Sequence, residues 1–233
     1  LDQLDLPKAD RYYVEVNGAS SSASLYWNGK KLATHHGGYS TWRVDVTEEI
    51  TASNLVVFEV DNAANESVYP QNADFTFYGG LYRDVNLICV SESHFDLCYY
   101  GGPGIKVTPV VDGDNANVEI EVWTKGMKEG QYFQYTIVDA EGNAVANAVS
   151  TEPKFTCTLE NVHKWHGRKD PYLYTAEVNL VEGKEILDNV AARFGCRSYE
   201  IDPDRGFILN GEEYPLRGVS RHQDRWGWGN ALL

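Results

Sequence analysis

Short apolar runs, each closed by a turn, dominate this sequence and restrict what it can fold into. The runs are rich in Val, Tyr, Phe and Thr, and Gly, Asn or Asp separates them at intervals of ~8–12 residues. Residues 11–16 alternate polar and apolar side chains, which suits a strand with one buried and one wet face. Asn28-Gly29 and Asn210-Gly211 are typical of hairpin turns, because both residue types tolerate a positive φ. Only residues 46–52 could form a helix, so the sequence predicts an all-β protein.

A second set of runs follows the glycine-rich break at residues 101–104. Strands are predicted at residues 107–111, 116–124, 132–139, 172–180 and 186–194. Roughly seven strands over about 100 residues fit an immunoglobulin-like sandwich. The Cys…Trp…Cys spacing of antibody domains is missing, which favours a fibronectin-like or enzyme-linker sandwich over a receptor domain.

The end of the sequence changes character. Residues 206–209 and 212–219 flank the second hairpin turn, and the predicted strand to Val219 leads into the polar, aromatic run 220–226. A strand of this kind resembles the first strand of a larger domain, and 14 residues remain after it. The sequence therefore predicts that a third domain begins here and is cut off.

Charge and hydropathy exclude several classes of protein. The 34 acidic and 20 basic residues give a net charge of −14, which argues against a nucleic-acid binder. No stretch approaches the ~20 apolar residues of a membrane span. The compartment stays open between cytoplasmic and periplasmic or secreted. The cysteines are widely spaced and are expected to be buried thiols rather than a disulfide pair or metal site: Cys89, Cys98, Cys157 and Cys196.

The densest chemistry lies in residues 69–85, where two glycines accompany several aromatic side chains. Aromatic faces suit the C–H faces of a sugar ring, and Asp74 among them could accept hydrogen bonds from sugar hydroxyls or ligate a small cation. The alternative is a loop that packs its aromatic side chains inward with Asp74 as a turn residue. Residue types alone leave these two interpretations equally open.

Other histidines and tryptophans receive structural interpretations. His35 and His36 are adjacent on a strand and point to opposite faces, so they are not expected to chelate one ion. The run from His163 to Pro171 is expected to be a loop that packs on a neighbouring domain, and Trp123 is expected in the core.

His222 lies in the run 221–226, just past the predicted strand, where barrel enzymes place active-site residues. A surface charge run is the alternative. The interleaved Trp226 and Trp228 favour function, because large aromatic side chains are costly to leave exposed.

Several motifs together resemble glycoside hydrolase family 2. They are LYWNGK at 25–30 and HGGY at 36–39, DFTFYGGLYRDV at 74–85, Trp165 with PYLY at 171–174, FGCR at 194–197, FILNG at 207–211 and LRGVSRH at 216–222. The resemblance covers essentially the whole chain in order. It implies a jelly-roll sugar-binding domain at 1–92, an immunoglobulin-like β-sandwich at 93–200 and a short stub of a truncated (β/α)₈ barrel at 201–233.

The resemblance also implies a retaining exo-glycosidase that removes a terminal β-linked sugar. Arg221, where β-glucuronidase-like members usually have Lys, favours a β-galactosidase-like member and a β-galactoside substrate. A β-glucuronidase- or β-mannosidase-like member is the alternative. Family members carry two catalytic glutamates on later barrel strands, so no catalytic residue is expected in this chain, and Glu212 and Glu213 precede the barrel strand.

Two substrate-binding residues are carried over by the resemblance. Asp74 corresponds to the carboxylate that holds sugar hydroxyls and, in some members, a monovalent cation. His222 corresponds to the histidine that follows the first barrel strand and contacts the sugar in the transition state. No cofactor is expected in this chain, whereas the full-length enzyme is expected to use Mg²⁺ and a monovalent cation. Its partners would be the carbohydrate substrate, its own downstream barrel and, in one interpretation, further copies in a homo-oligomer.

Two hypotheses from other classes remain beside the hydrolase. A stand-alone carbohydrate-binding or adhesion protein would bind sugar without any barrel, and the barrel-like tail argues against it. A purely structural protein would use both sandwiches as oligomerisation surfaces.

Overall fold

The computed structural model describes residues 7–69, 72, 76–221 and 224–229. The chain divides into two compact units. The first comprises residues 1–91 with 100–102 and 220–233, and the second comprises residues 92–99 with 103–219. Both units consist of β-sheets, and the single short helix described is a 3₁₀ turn at Thr47–Glu49 within residues 46–52. The predicted all-β class is confirmed.

The first unit is a β-sandwich built from two three-stranded sheets and a small two-stranded ladder. Its strands are β1 (Arg11–Val16), β2 (Ala19–Ser20), β3 (Ser22–Trp27), β4 (Lys30–His36), β5 (Trp42–Asp45), β6 (Val56–Asp61), β7 (Gly80–Leu81) and β8 (Val85–Val90). The sheet orders are β5-β1-β8 and β4-β3-β6, all antiparallel, and β2 pairs with β7.

The core of the first unit lies between its two larger sheets. Val16 of β1, Leu25 and Trp27 of β3 and Trp42 of β5 belong to one cluster of buried side chains. Burial of each large apolar side chain contributes about 1.5–3 kcal/mol. The turn that joins β3 to β4 is Asn28-Gly29, and both residues have the positive φ of a two-residue hairpin.

The second unit contains the remaining strands. They are β9 (His94–Phe95), β10 (Ile105–Asp112), β11 (Asn115–Val122), β12 (Thr124–Lys125), β13 (Gln131–Val138), β14 (Ala144–Ser150), β15 (Lys154–Leu159), β16 (Tyr174–Glu182), β17 (Glu185–Phe194), β18 (Tyr199–Asp202), β19 (Gly206–Leu209) and β20 (Glu212–Glu213). The two larger sheets have the orders β10-β11-β15 and β14-β13-β16-β17. They form the expected immunoglobulin-like sandwich.

Strict alternation along the central strands builds the core of this sandwich. In β13 every second residue is buried, including Phe133, Tyr135 and Ile137, and these pack with Ile120 of β11. The period-2 pattern therefore places one face of each sheet inward. Asp188 of β17 accepts a hydrogen bond from the Phe95 amide at 2.8 Å, which ties the short strand β9 to the sandwich.

The predicted strand at residues 212–219 is much shorter in the structure. A three-stranded sheet of order β18-β19-β20 ends at Glu213, and the side chain of Val219 is 95% exposed. A strand needs a neighbour that accepts its backbone hydrogen bonds, and no described residue pairs with the backbone of 215–219. The barrel stub itself stays a prediction.

Two further expectations need correction. Cys98 is exposed rather than buried, because it lies in the turn after β9, whereas Cys196 is fully buried. Cys89 and Cys157 are half-buried, and no disulfide joins any of the four cysteines, all of which lie within the described residues. Trp123 is half-buried, not a core residue, and its ring stacks on Tyr99 with 4.0 Å between centroids. Among the described residues, none of the helices reaches the length and apolarity that a membrane crossing requires.

Candidate functional site

Four aromatic side chains of the first unit come together at one place, which we call the aromatic cluster: Tyr39, Tyr69, Phe77 and Tyr82. Tyr39 lies in the turn after β4, and the others lie in the segment that leads from β6 through β7. The Tyr39 ring stacks on Tyr69 at 5.7 Å and meets the edge of Tyr82 at 6.1 Å. Tyr69 in turn contacts Phe77 at 6.1 Å. The fold thus joins two stretches that are distant in sequence.

Tyr82 is the fixed member of the aromatic cluster. Its hydroxyl donates a hydrogen bond to the Gly38 carbonyl at 2.6 Å. Gly18 provides the space for the ring, because a Cβ at that position would lie 2.9 Å from Cζ of Tyr82. The Arg83 guanidinium covers the ring at 5.1 Å and donates to the Tyr39 carbonyl at 3.2 Å. These contacts hold the two stretches in register with each other.

The hydroxyl groups of Tyr39 and Tyr82 are neutral at physiological pH, because the pKa of each lies above the ordinary tyrosine value. The neighbouring Tyr69 hydroxyl, followed by partial burial, raises the pKa of Tyr39 to about 12. Burial is also the main cause that raises the pKa of Tyr82. Tyr39 is 52% exposed, so it offers both a ring face and a hydroxyl to an incoming molecule. Such a group can stack on a sugar and donate or accept a hydrogen bond, but it is not a base at neutral pH.

A second stretch reaches the same region from the end of the chain. Residues 225–229 form a tight turn in which Arg225 and Gly229 exchange two backbone hydrogen bonds of 3.0 Å. Gly229 packs on Tyr78, the residue that follows Phe77 of the aromatic cluster. Trp226 in this turn is 98% exposed. The first unit therefore does not bury Trp226, although the sequence indicated that its exposure would be costly.

The two predicted substrate-binding residues, Asp74 and His222, lie outside the described residues. Their neighbours along the chain are placed: residues 76–79 and 224–229 both belong to the first unit, and they touch at Tyr78 and Gly229. The roles of Asp74 and His222 stay predictions. Arg221 and Asp224, which flank His222, are exposed.

A metal site finds no support in the part of the chain that the structure describes. No group of three or more His, Cys, Asp or Glu side chains there could hold a metal ion. Asp74 lies outside the described residues, so its role as a cation ligand stays a prediction.

The adjacent histidines of β4 have the expected structural roles. His35 stacks on Trp42 with centroids 5.4 Å apart, and its Nε2 hydrogen-bonds Ser40 Oγ at 2.9 Å. Burial lowers the pKa of His35. His36 Nδ1 hydrogen-bonds Ser22 Oγ at 2.9 Å. The two rings have different partners.

The run from His163 onwards lines an open polar cleft of the second unit. The cleft has a volume of 480 Å³ and is lined by Lys164, His166, Lys169, Asp170, Asn210 and Glu212. His163 meets Asp170 at 2.6 Å, and His166 lies 3.4 Å from Glu212. Charges of both signs neutralise each other there, so the cleft favours no particular ligand class.

Tyr39 is the member of the aromatic cluster to which sequence reasoning assigned no role. The sequence signal for Tyr39 is the HGGY run at 36–39, of which it is the last residue. Gly18 was also missed, because nothing in its local sequence reveals the ring of Tyr82 above it.

Comparison with known proteins gives consistent results. Residues 103–197 match the model of glycosyl hydrolases family 2. The chain is 31% identical to a β-glucuronidase of Bacteroides fragilis over 97% of this chain and 34% of the relative. It is 31% identical to a β-galactosidase of Thermoanaerobacter pseudethanolicus over 93% of this chain and 30% of the relative. The chain thus spans about a third of the length of these curated relatives.

Solved structures agree in fold. The FMN-binding β-glucuronidase from Faecalibacterium prausnitzii L2-6 superposes with a TM-score of 0.92 at 43% identity, over 99% of this chain and 36% of that one. A putative β-galactosidase from Bacteroides fragilis has a TM-score of 0.87 at 33% identity, over 96% of this chain and 36% of that one. The sequence matches and the shared all-β fold lead to one conclusion: the chain belongs to glycosyl hydrolases family 2.

Proposed function

We propose that this chain is the N-terminal, sugar-orienting part of a glycoside hydrolase that removes a terminal β-linked sugar with retention of configuration. The observation that carries the proposal is the contact between Gly229 and Tyr78. It joins the stretch that contains Asp74 to the stretch that contains His222, and Tyr78 directly follows Phe77 of the aromatic cluster, in which Tyr39 has an exposed ring. Carboxylate, imidazole and aromatic face are the groups that position a sugar ring.

The chain's own residues would position the substrate rather than cleave it. In this proposal Asp74 accepts hydrogen bonds from sugar hydroxyls, and His222 donates a hydrogen bond to the sugar as the transition state forms. The ring of Tyr39 covers the apolar face of the sugar. Orientation of this kind lowers the barrier by placing the reacting bond correctly. The two carboxyl groups of a retaining glycosidase, ~5–5.5 Å apart, would come from outside these 233 residues.

Two sugars are candidates for the terminal residue. Relatives named β-glucuronidase are similar to this chain at up to 43% identity, which supports a β-glucuronide. A β-galactoside, favoured from the sequence by Arg221, is supported by relatives named β-galactosidase at 31% and 33% identity. A glucuronide carries a carboxylate that a galactoside lacks, so the two differ in the need for a cationic partner.

Hydrolysis by the full-length gene product tests the proposal. The purified protein is assayed with p-nitrophenyl β-D-glucuronide and β-D-galactoside, and the preferred sugar is the one with the higher kcat/KM. The 233-residue chain alone is assayed in parallel and is expected to be inactive on both. Turnover by the chain alone would place the catalytic pair inside it. A full-length protein that binds these sugars without hydrolysing them would instead be a carbohydrate-binding module.

A further inference from the structure

Strand β14 forms an edge of the second unit with unusual composition. It is the first strand of the four-stranded sheet, and among described residues its backbone pairs with β13 alone. In an antiparallel pair only alternate backbone groups face the neighbour, so the other half of the β14 groups points away from the sheet. Such a row of free N–H and C=O groups is a template for another strand.

The other three edges of the two larger sheets are protected in the usual way. Charged side chains or proline on an edge strand discourage pairing with another chain. These residues are Glu185, Asp188 and Arg193 on β17, Lys106, Pro109 and Asp112 on β10, and Lys154 on β15. The sequence of strand β14 is Ala-Val-Ala-Asn-Ala-Val-Ser, which contains neither a charged residue nor a proline. Among the four edge strands described in the two larger sheets of the second unit, β14 is the one without a charge or a proline.

The sequence of β14 is also a palindrome about Asn147, apart from its two end residues. A second copy running antiparallel with Asn147 opposite Asn147 places Val145 opposite Val149 and Ala146 opposite Ala148. Cross-strand pairs of β-branched residues stabilise a sheet. Because a two-fold axis requires one patch to match itself, this self-matching order fits a second copy better than any unrelated strand.

The two faces of β14 differ in a way that this pairing would use. Ala146 and Ala148 pack against the core of the sandwich. Val149 is 69% exposed, and Val145 and Asn147 are exposed on the same side. Pairing would cover both valines in each copy and leave no charged group in the shared ladder. Small residues on the inner face allow the two strands to approach without rearrangement of the core.

We propose that two copies of this chain associate through antiparallel pairing of their β14 strands, with Asn147 facing its own copy across the two-fold axis. The pairing joins two four-stranded sheets into one of eight strands. A ladder of seven residues covers a small area, well below the ~1,000 Å² of a stable interface. The dimer is therefore weak, and it forms at high concentration.

Sedimentation equilibrium of the 233-residue chain over a wide concentration range tests this pairing. The wild-type chain is expected to double in mass as its concentration rises. Asn147→Asp and Asn147→Lys each place two like charges opposite each other, and each is expected to weaken dimerisation by about tenfold or more. An equal mixture of the two variants is expected to dimerise again, because the charges are then opposite. That recovery also shows that both variants fold.

Val110→Lys is the matched control. Val110 is 58% exposed on β10, an edge that already carries charges, so the substitution adds one lysine without touching β14. Its dimerisation is expected to equal that of the wild-type chain. A wild-type chain that stays monomeric at millimolar concentration would overturn the proposal. So would a dimer that Asn147→Asp and Asn147→Lys both leave unchanged, since its interface would then lie elsewhere.

Discussion

Gly229 lies against the ring of Tyr78 so closely that a Cβ at position 229 would come within 3.0 Å of the ring atom Cδ1. Gly229 also has φ of +61°, a conformation that glycine adopts at little cost. The contact links a turn seven residues after His222 to a segment four residues after Asp74. A single methyl group at this point therefore tests whether the two stretches must touch for the protein to function.

Replacement of Gly229 by alanine is expected to lower activity. The added methyl group would push the turn and the ring of Tyr78 apart by a few tenths of an ångström. Displacement of positioning groups by fractions of an ångström lowers transition-state stabilisation, here by on the order of tenfold in kcat/KM. The measurement is hydrolysis of the preferred aryl β-glycoside by the full-length gene product.

Gly227→Ala is the control for backbone strain. Gly227 has φ of +82°, so alanine there is also strained, but no atom lies within 4 Å of the added Cβ. Its kcat/KM is expected to stay close to the wild-type value. Equal losses in both variants would show that strain in the turn, not contact with Tyr78, causes the effect.

Asp74 and His222 are the residues whose substitution should affect substrate positioning directly. Asp74→Asn and His222→Ala in the full-length gene product are each expected to lower kcat/KM by about tenfold or more, because each removes a contact that orients the sugar. Asp112→Asn, which changes an exposed carboxylate of the second unit, is expected to have no effect. Wild-type values for both site variants would remove the assignment.

The parts of the fold that sequence reasoning predicted depend on neighbours along the chain. Asn28-Gly29 specifies its hairpin by itself, because two adjacent residues with positive φ form a tight turn that reverses the chain direction. The alternation of β13 equally determines which of its side chains face inward. Within the candidate site, the aromatic composition of the segment that starts at Tyr69 is equally evident from the sequence, whereas its role as a sugar contact or a packed loop stays a prediction.

The parts that escaped prediction depend on residues far apart in sequence. Tyr39 and Tyr82 meet across 43 positions, and nothing local to either residue indicates the other. The apolar run ending at Val219 has the pattern of a strand, but a strand also requires a neighbouring strand to pair with. The pattern of the run does not reveal whether such a neighbour is present. Pairing and packing at long range decide such cases.

A nearly buried ion pair in the first unit makes its stability depend on acid. Burial alone would raise the pKa of Glu15, but hydrogen bonds from Asn86 and Arg43 outweigh it and hold that pKa below the usual range. The Glu15–Arg43 pair is 2.7 Å long. A carboxyl group with a lowered pKa stabilises the fold above the ordinary glutamate range, and this contribution is lost as pH falls through the lowered pKa.

Glu15→Gln is therefore expected to reduce the free energy of unfolding by about 2 kcal/mol at pH 7 and by much less near pH 3. Urea unfolding followed by tryptophan fluorescence measures both values. Glu119→Gln breaks the more exposed pair with Lys154 and is expected to change the free energy of unfolding little at either pH. A Glu15→Gln effect that is the same at both pH values would contradict the lowered pKa.

Asp188 presents the opposite electrostatic case in the second unit. Burial raises the pKa of its carboxyl group, although hydrogen bonds from the backbone amides of Phe95 and Asn189 and the charge of His94 oppose the shift. The Phe95 amide is 2.8 Å from Oδ2. A raised pKa means that the folded state binds the proton more readily than the unfolded state. The contribution of Asp188 to stability therefore falls as pH rises from the ordinary aspartate range through the raised pKa.

Asp188→Ala is expected to cost about 2 kcal/mol at neutral pH, because it leaves the buried Phe95 amide without an acceptor. Asp188→Asn keeps an acceptor oxygen and is expected to cost less, while removing the pH dependence that comes from this carboxyl group. Urea unfolding between pH 4 and pH 7 separates the two effects. Equal losses in both variants would mean that the amide of Phe95 finds another partner, and that β9 does not depend on Asp188 for its place in the sandwich.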